Sequence, residues 1–209
     1  MRVIIPSCDA YLNVLWLSQR YFKHFWPDNP YPVDVISETK GLAGMVTYKY
    51  NDPSWVNRLL MYLRDTPHEH FIIIPDDFIL KSPVNTERVR HAEVISNNDR
   101  FVGCIRLQPH DHQAAHLQRF SPGFDEYPLD KPYSVSFQIS IWHREFLFEI
   151  LKKGETVWQA EIGGSKRAKK SIMRVLWANE PAFNYTAHGY MQKGKPAPDV
   201  LRWVMENPI

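Results

Sequence analysis

The chain has 209 residues, which fits one domain with a full core and room for a small appendage. Apolar residues make up 44% and charged residues 23%, an ordinary globular balance, and a net charge of +2 is too small to argue for a nucleic-acid partner by itself. No run reaches the roughly 18 uncharged apolar residues of a helical membrane span, and "MRVIIPSCDAYLN" lacks a cleavable export pattern, so the expectation is a cytoplasmic chain with no transmembrane segment. Cys8 and Cys104 have no metal-type spacing and read as two free thiols.

Taken in order, "RVIIP" is short, β-branched and bounded by Pro6, which predicts a buried strand. "AYLNVLWLSQRYFKHFW" places Leu12, Leu15, Trp16, Tyr21, Phe22 and Phe25 at near-helical spacing, a helix that must stop before Pro27. "PVDVIS" reads as a second strand and residues 38–53 as irregular chain. "SWVNRLLMYLRD" is a helix capped by Ser54, and "HFIIIP" is the next strand. "SPVNTERVRHAEVIS" offers Ser82 as N-cap and Pro83 at the first helical position. "FVGCIRL" is a further strand. This alternation predicts an α/β fold, a mixed and mainly parallel sheet flanked by helices. Ligands bind at the carboxyl ends of strands in such sheets, where Asp9, Ser37–Glu38 and Asp76–Asp77 all fall.

The second half is less regular. "HDHQAAHLQRFSPGFDEYPLDKP" is a polar insertion, "YSVSFQIS" alternates like a strand, and "IWHREFLFEILKKG" is helical up to Gly154. "TVWQAEIGGSKRAKKS" reads as a short helix, a glycine turn and a basic run. "IMRVLW" reads as a strand and "APDVLRWVMEN" as a terminal helix.

The chemistry concentrates in few places. Asp76 and Asp77 end an apolar run in "HFIIIPDDFILK", where two like charges repel and each resists desolvation. Either the pair lies in a solvated turn, or a hard divalent cation such as Mn²⁺ or Mg²⁺ sits between them, its shell completed by water and phosphate. His110, His112 and His116 have a spacing that zinc tolerates, but without cysteine support a polar loop is favoured; His68 and His70 read as turn and strand-edge residues. Lys166, Arg167, Lys169, Lys170 and Arg174 form either a solvated basic face or a phosphate-binding one. His188, Lys193 and Lys195 surround flexible glycines, as in a loop closing over a diphosphate or in a plain surface loop. Glu161 follows Trp158 by one helical turn. By sequence alone it reads as a helix-surface residue, with a general base as the functional alternative.

Together, "VIIPSCDAY", "SWVNRLLMYLRDTPHEHFIIIPDDFIL" and "SVSFQISIWHREFLFEIL…ETVWQAE" resemble the small GT-A-type glycosyltransferases of bacteria and large viruses, over roughly residues 2–195. Members of that family tend to carry a Ser-Leu-Gln-x-x-x-Trp run and then a Trp-x-x-Glu. "PDDF" matches their acidic D-x-D-type motif, with the departures that Pro75 precedes it and the two acids are adjacent. The resemblance implies one domain over 1–209, with residues 1–107 as the nucleotide-sugar half and 108–209 as the acceptor and catalytic half. It implies Mn²⁺ or Mg²⁺ on Asp77 and Asp76, with His188 from the final loop, and a nucleoside diphosphate sugar held by Pro6, Ser7, Asp9, Ser37, Glu38, Asp76, Lys193 and Lys195. Gln138, Trp142 and Trp158 would bind the acceptor. Glu161 would be the base of an inverting transfer to a hydroxyl, with Glu180 in reserve. The acceptor would be a glycan or a lipid-linked sugar in surface-glycan synthesis. Alternatives are a hydroxymethylated base in viral DNA, motivated by the basic run, a metal-dependent phosphohydrolase on Asp76–Asp77, and a non-catalytic nucleotide- or glycan-binding module.

Overall fold

The computed structural model describes residues 1–109, 117–186 and 188–209. His110, His112 and His116, the zinc-like spacing, lie outside the described residues.

The amino-terminal half alternates as its sequence predicts. Strand β1 (Arg2–Pro6) leads through a single 3₁₀ turn into helix α1 (Leu12–Phe25), which ends ahead of Pro27. Strand β2 (Val33–Ser37), helix α2 (Trp55–Asp65) and strand β4 (His70–Ile73) follow, with β3 (Val46–Lys49) between β2 and α2. Strand β3 corrects the expectation of irregular chain over 38–53. It is a mostly exposed edge strand, so it shows no buried apolar pattern to read. Helix α3 (Thr86–Asn98) begins three residues later than Ser82–Pro83 suggests, because the Asn85 side chain accepts from Arg88 N at 3.0 Å and takes the capping role.

The carboxy-terminal half departs further. Strand β5 (Val102–Arg106) is followed by a hairpin, β6 (Gln118–Ser121) and β7 (Phe124–Tyr127), inside the predicted polar insertion. Residues 133–139 are not a strand. The strand here is β8 (Ser140–His143), and helix α4 (Arg144–Ile150) stops before Gly154. Helix α5 (Val157–Ala168) runs through Gly163 and Gly164 rather than turning there. Gly164 lets this helix pack closely: a Cβ there would lie 3.2 Å from both the Ile150 carbonyl and a Val135 methyl. Strand β9 (Arg174–Ala178), the small hairpin β10 (Met191–Gln192) with β11 (Lys195–Pro196), and helix α6 (Pro198–Glu206) complete the order.

One nine-stranded sheet joins both halves in the order β3-β2-β1-β4-β8-β5-β9-β7-β6. The run β3-β2-β1-β4 is parallel, and β8 is inserted antiparallel between β4 and β5. Side-chain alternation divides the core between two faces. Val3, Ile5 and Ile72 pack with Leu15, Phe22 and Val89 from α1 and α3. Ile4, Phe71 and Ile73 pack on the other face with Leu59, Leu63, Phe146 and Ala160 from α2, α4 and α5. Trp142 belongs to this second face. It is fully buried, with ring centroids 5.2 Å from Phe137 and 6.2 Å from Phe146. That corrects its expected place as an acceptor platform, since no face of the indole reaches solvent.

Register brings one edge of the sheet together. Ser140 at the start of antiparallel β8 lies opposite Ile73 near the end of β4 and opposite Arg106 at the end of β5. Residues just after β1, β4 and β5 and just before β8 therefore meet at a single edge.

The opposite edge holds a histidine pair, His70 and His143, directly across β4 and β8 with ring centroids 4.8 Å apart. Burial, and then the neighbouring His143, push His70 down to about 4. Folding therefore favours neutral His70. Its contribution is complete above the unfolded value near 6.5 and is lost as pH falls towards 4. His70→Phe should flatten the acid limb of stability between pH 6.5 and pH 4, by on the order of 1 kcal/mol after allowance for partial exposure, as read by denaturant titration at each pH.

Candidate active site

A cavity of about 650 Å³ opens at the shared sheet edge. One wall is Pro6, Ser7 and Cys8 after β1, with Asp76 and Asp77 after β4. The lining also includes Val157, Trp158 and Glu161 from the first turns of α5 and Phe137–Gln138 from the segment before β8. Helix α5 starts here because Thr156 and Gln159 form a reciprocal capping box, which satisfies two orphan backbone donors. Trp158 and Glu161, three residues apart, then share the face that looks into the cavity. Trp158 is 73% exposed at the rim, whereas Glu161 is only 8% exposed, so the expectation of a helix-surface carboxylate is corrected. Glu161 Oε1 accepts from Phe137 N at 2.7 Å, which fixes both the carboxylate and the loop before β8.

The aspartate pair is short of partners. Asp76 Oδ2 accepts from Ser7 Oγ at 2.6 Å, and Asp77 Oδ2 accepts weakly from Met191 N at 3.3 Å. Neither forms an ion pair among the described residues. Burial pushes Asp76 up to about 7, with Asp77 adding like-charge repulsion, and burial pushes Asp77 up to about 6. Two under-partnered carboxylate groups at a cavity wall fit a hard divalent cation. No cluster of three or more His, Cys, Asp or Glu with metal-holding geometry occurs among the described residues, so the protein would supply these two carboxylates and leave the remaining positions to water and phosphate. His188 lines the same cavity but does not join the pair as a third ligand, which corrects its expected place in the metal set.

The turn that carries His188 is tied to Asp77. Tyr190 N donates to the Asp77 carbonyl at 2.6 Å, and Gly189 has φ +74° directly over the Asp77 carboxylate. A Cβ at Gly189 would collide with that carboxylate and would also be strained at this φ. Gly189→Ala should displace Asp77 and destabilise the fold by on the order of 1–3 kcal/mol, read by denaturant titration, while the far-ultraviolet circular dichroism stays native.

Other expected donor contacts are placed differently. Pro6, Ser7 and Asp76 line the cavity, but Asp9, Ser37 and Glu38 do not. Asp9 accepts from Thr39 N at 3.1 Å, Lys40 N at 2.9 Å and the Thr39 hydroxyl, and these bonds hold its carboxyl below the usual range. Ser37 is buried and donates to the Lys40 carbonyl. Glu38 accepts from Asp9 N at 3.0 Å and pairs with Arg58 at 3.2 Å. Asp9 and Glu38 thus fasten the loops after β1 and β2 to each other, and Ser37 closes the second loop on itself. Lys193 and Lys195 are exposed on the β10–β11 hairpin and do not line the cavity. Glu180 is an exposed partner of Arg88, away from the cavity, and so is not a reserve base for it.

Two arginines were not singled out by sequence. Arg58 is 2% exposed, and its guanidinium donates to Ser7 O at 2.8 Å and Asp52 O at 2.5 Å, which braces the β1 loop under the cavity. The signal for it is its place four residues before Tyr62, on the buried face of α2. Arg106 stands at the carboxyl end of β5, the same kind of position that drew attention to Asp76.

No protein-family model matches the sequence, and no curated protein is similar to it. Solved structures do share the fold. S. aureus TarS, residues 1–349, superposes with a TM-score of 0.58 at 12% identity, covering 88% of this chain and 60% of that one. The same TarS fragment in complex with UDP-GlcNAc gives a TM-score of 0.56 at 14% identity, over 90% and 58%. A CMP:2-keto-3-deoxy-manno-octonic acid synthetase complexed with CTP gives 0.58 at 13% identity, over 98% and 96%. The chain thus spans about three fifths of the TarS fragment and nearly all of the synthetase. The mixed α/β fold expected from the sequence is the fold that these structures share.

Proposed function

We propose that this chain is a metal-dependent glycosyltransferase that moves a sugar from a nucleoside diphosphate to a hydroxyl acceptor with inversion, in surface-glycan synthesis. The observation that carries the proposal is the 650 Å³ cavity lined both by two under-partnered carboxylates and by the buried Glu161. Asp77 and Asp76 would hold Mn²⁺ or Mg²⁺, whose contribution when bound is to offset charge on the leaving diphosphate. Pro6, Ser7 and Asp76 would contact the donor. Trp158 would offer an apolar face to the acceptor at the rim, and Gln138 a hydrogen bond. Glu161 would take the acceptor hydroxyl proton as the oxygen attacks the anomeric carbon, so the C–O bond forms on the face opposite the departing diphosphate. A fixed Oε1 on Phe137 N leaves Oε2 as the basic atom.

A nucleotidyltransferase is the second reading, favoured by the near-full-length superposition on the cytidylyl-type synthetase. Cation supply argues against it. Such a reaction takes a nucleoside triphosphate, yet among the described residues the main cavity is lined by no lysine and by one arginine, Arg58, already committed to Glu38, Asp52 and Ser7. A DNA acceptor loses support because Arg167 and Arg174 of the basic run are paired with Glu155 and with Asp99 and Glu126. The test is product analysis after incubation with nucleotide sugars and nucleoside triphosphates plus Mn²⁺. Release of nucleoside diphosphate supports the proposal, pyrophosphate supports the second reading, and inorganic phosphate alone supports a phosphohydrolase.

A further inference from the structure

A second cavity of about 380 Å³ adjoins the first, and the two share Tyr133, Ser136, Gln138 and His188. Its distinctive group is Arg106. The guanidinium carbon lies over the Trp177 ring, 4.0 Å from its centroid, and Trp177 in turn stacks on Tyr127 at 4.7 Å. Contact with the ring holds the cation by cation–π attraction, which uses none of its N–H donors. Arg106 Nε is buried with no hydrogen-bond partner, and Arg106 forms no ion pair among the described residues. Burial pushes it down from the usual arginine value, against a raising pull from neighbours that include Glu161. A charge-bearing fork held without a counter-charge is costly unless something anionic completes it.

We propose that this second cavity is an acceptor subsite for an oxyanion, a phosphodiester or a carboxylate, gripped by Arg106. Gln138 supports the placement. Its Oε1 accepts from the Tyr185 hydroxyl at 2.9 Å, so its amide NH₂ remains as a donor at the junction of the two cavities. Glu161 is near enough to act electrostatically on Arg106, so an anion on the fork brings a neighbouring hydroxyl of the same acceptor towards the base. The acceptor assignment rests on the glycosyltransferase proposal; the anion site itself does not.

The experiment is calorimetric titration of the full chain in EDTA, which silences a metal-held diphosphate site. The probes are dimethyl phosphate and acetate, with chloride at matched ionic strength as the control. One of the two anions should bind better than chloride, and which one names the acceptor's charged group. Arg106→Met should weaken it about tenfold or more, as expected for loss of a charge-assisted fork. It should also raise the melting temperature without anion, because an uncompensated buried charge is gone. Arg106→Lys, which keeps charge but not the fork, should weaken binding by an intermediate factor and serves if the Met variant does not fold. Absence of binding by both anions, or equal binding in the variants, overturns the site. Repeating the titration with Mn²⁺ and saturating nucleoside diphosphate separates the two claims. Undiminished anion binding supports the acceptor assignment, and displacement overturns it by placing Arg106 in the donor site. If no nucleoside diphosphate binds at all, the donor reading fails while the EDTA result still judges the anion site.

Discussion

Glu161→Gln should lower sugar transfer by about 10³-fold while nucleoside diphosphate binding in Mn²⁺ stays near the wild-type value. The choice of glutamine matters. Glu161 Oε1 accepts from Phe137 N, and an amide oxygen keeps that bond, so the loop before β8 and the Gln138 that follows stay in place. Only the basicity of the second oxygen is removed. Glu161→Ala would also free a buried backbone donor, so its loss would mix chemistry with loop disorder. Steady-state kinetics with saturating donor should show the defect in kcat rather than in donor KM, the pattern expected of a group acting on the acceptor proton. Turnover of Glu161→Gln within a few-fold of wild type would remove Glu161 from the mechanism.

The second large effect is on stability. Asp76 and Asp77 are raised to about 7 and about 6 because the cavity wall desolvates them. With no divalent cation bound, the folded chain holds protons there that the unfolded chain releases near pH 4. Their contribution is thus intact below about pH 4 and is lost as pH rises to 7. Asp76→Asn should therefore stabilise the metal-free protein by on the order of 2–4 kcal/mol at pH 8 and change little at pH 4. The same substitution removes a carboxylate from the proposed cation site, so Mn²⁺ should raise the melting point of the wild type and not of the variant. Such a site would weaken the fold when empty and strengthen it when filled. Chemical denaturation at pH 4 and pH 8, with EDTA and with Mn²⁺, measures all four corners. Asp76→Asn less stable than wild type at pH 8 in EDTA would contradict the account.

The sequence made the parallel half legible because its strands are short β-branched runs buried on both faces, and because caps such as Ser54 state where helices start. The carboxy-terminal half was harder for identifiable reasons. "SVSFQIS" alternates like a strand, but its backbone bonds to α5 side chains, as Val135 N does to Ser165 Oγ at 3.1 Å and Phe137 N to Glu161, so it lies against a helix instead of in the sheet. Gly163–Gly164 looked like a turn, but there the missing side chains serve close helix packing. Strand β3 and the β6–β7 hairpin carry too little buried apolar surface to show a period.

The site divides the same way. The adjacency of Asp76 and Asp77 after an apolar run was visible, as was Trp158 with Glu161. The burial of Glu161 was not, because it depends on a backbone donor 24 positions away. Arg106 needed the register of β5 against β8 and the stack on Trp177, neither of which sequence spacing contains. Glu38 and Asp9 occupy the expected strand ends but are consumed by bonds to one another's loops, and Ser37 by a bond to Lys40 in its own.

The central claim is that the larger cavity binds a nucleoside diphosphate through a divalent cation on the aspartate pair. A thermal-shift series with UDP, CDP, GDP and ADP, each with Mn²⁺ and with EDTA, on wild type and Asp77→Asn, tests it most directly. The account predicts that at least one nucleotide raises the wild-type melting point only in Mn²⁺, and that Asp77→Asn abolishes the rise. A shift of equal size in EDTA, or one that survives Asp77→Asn, would contradict it.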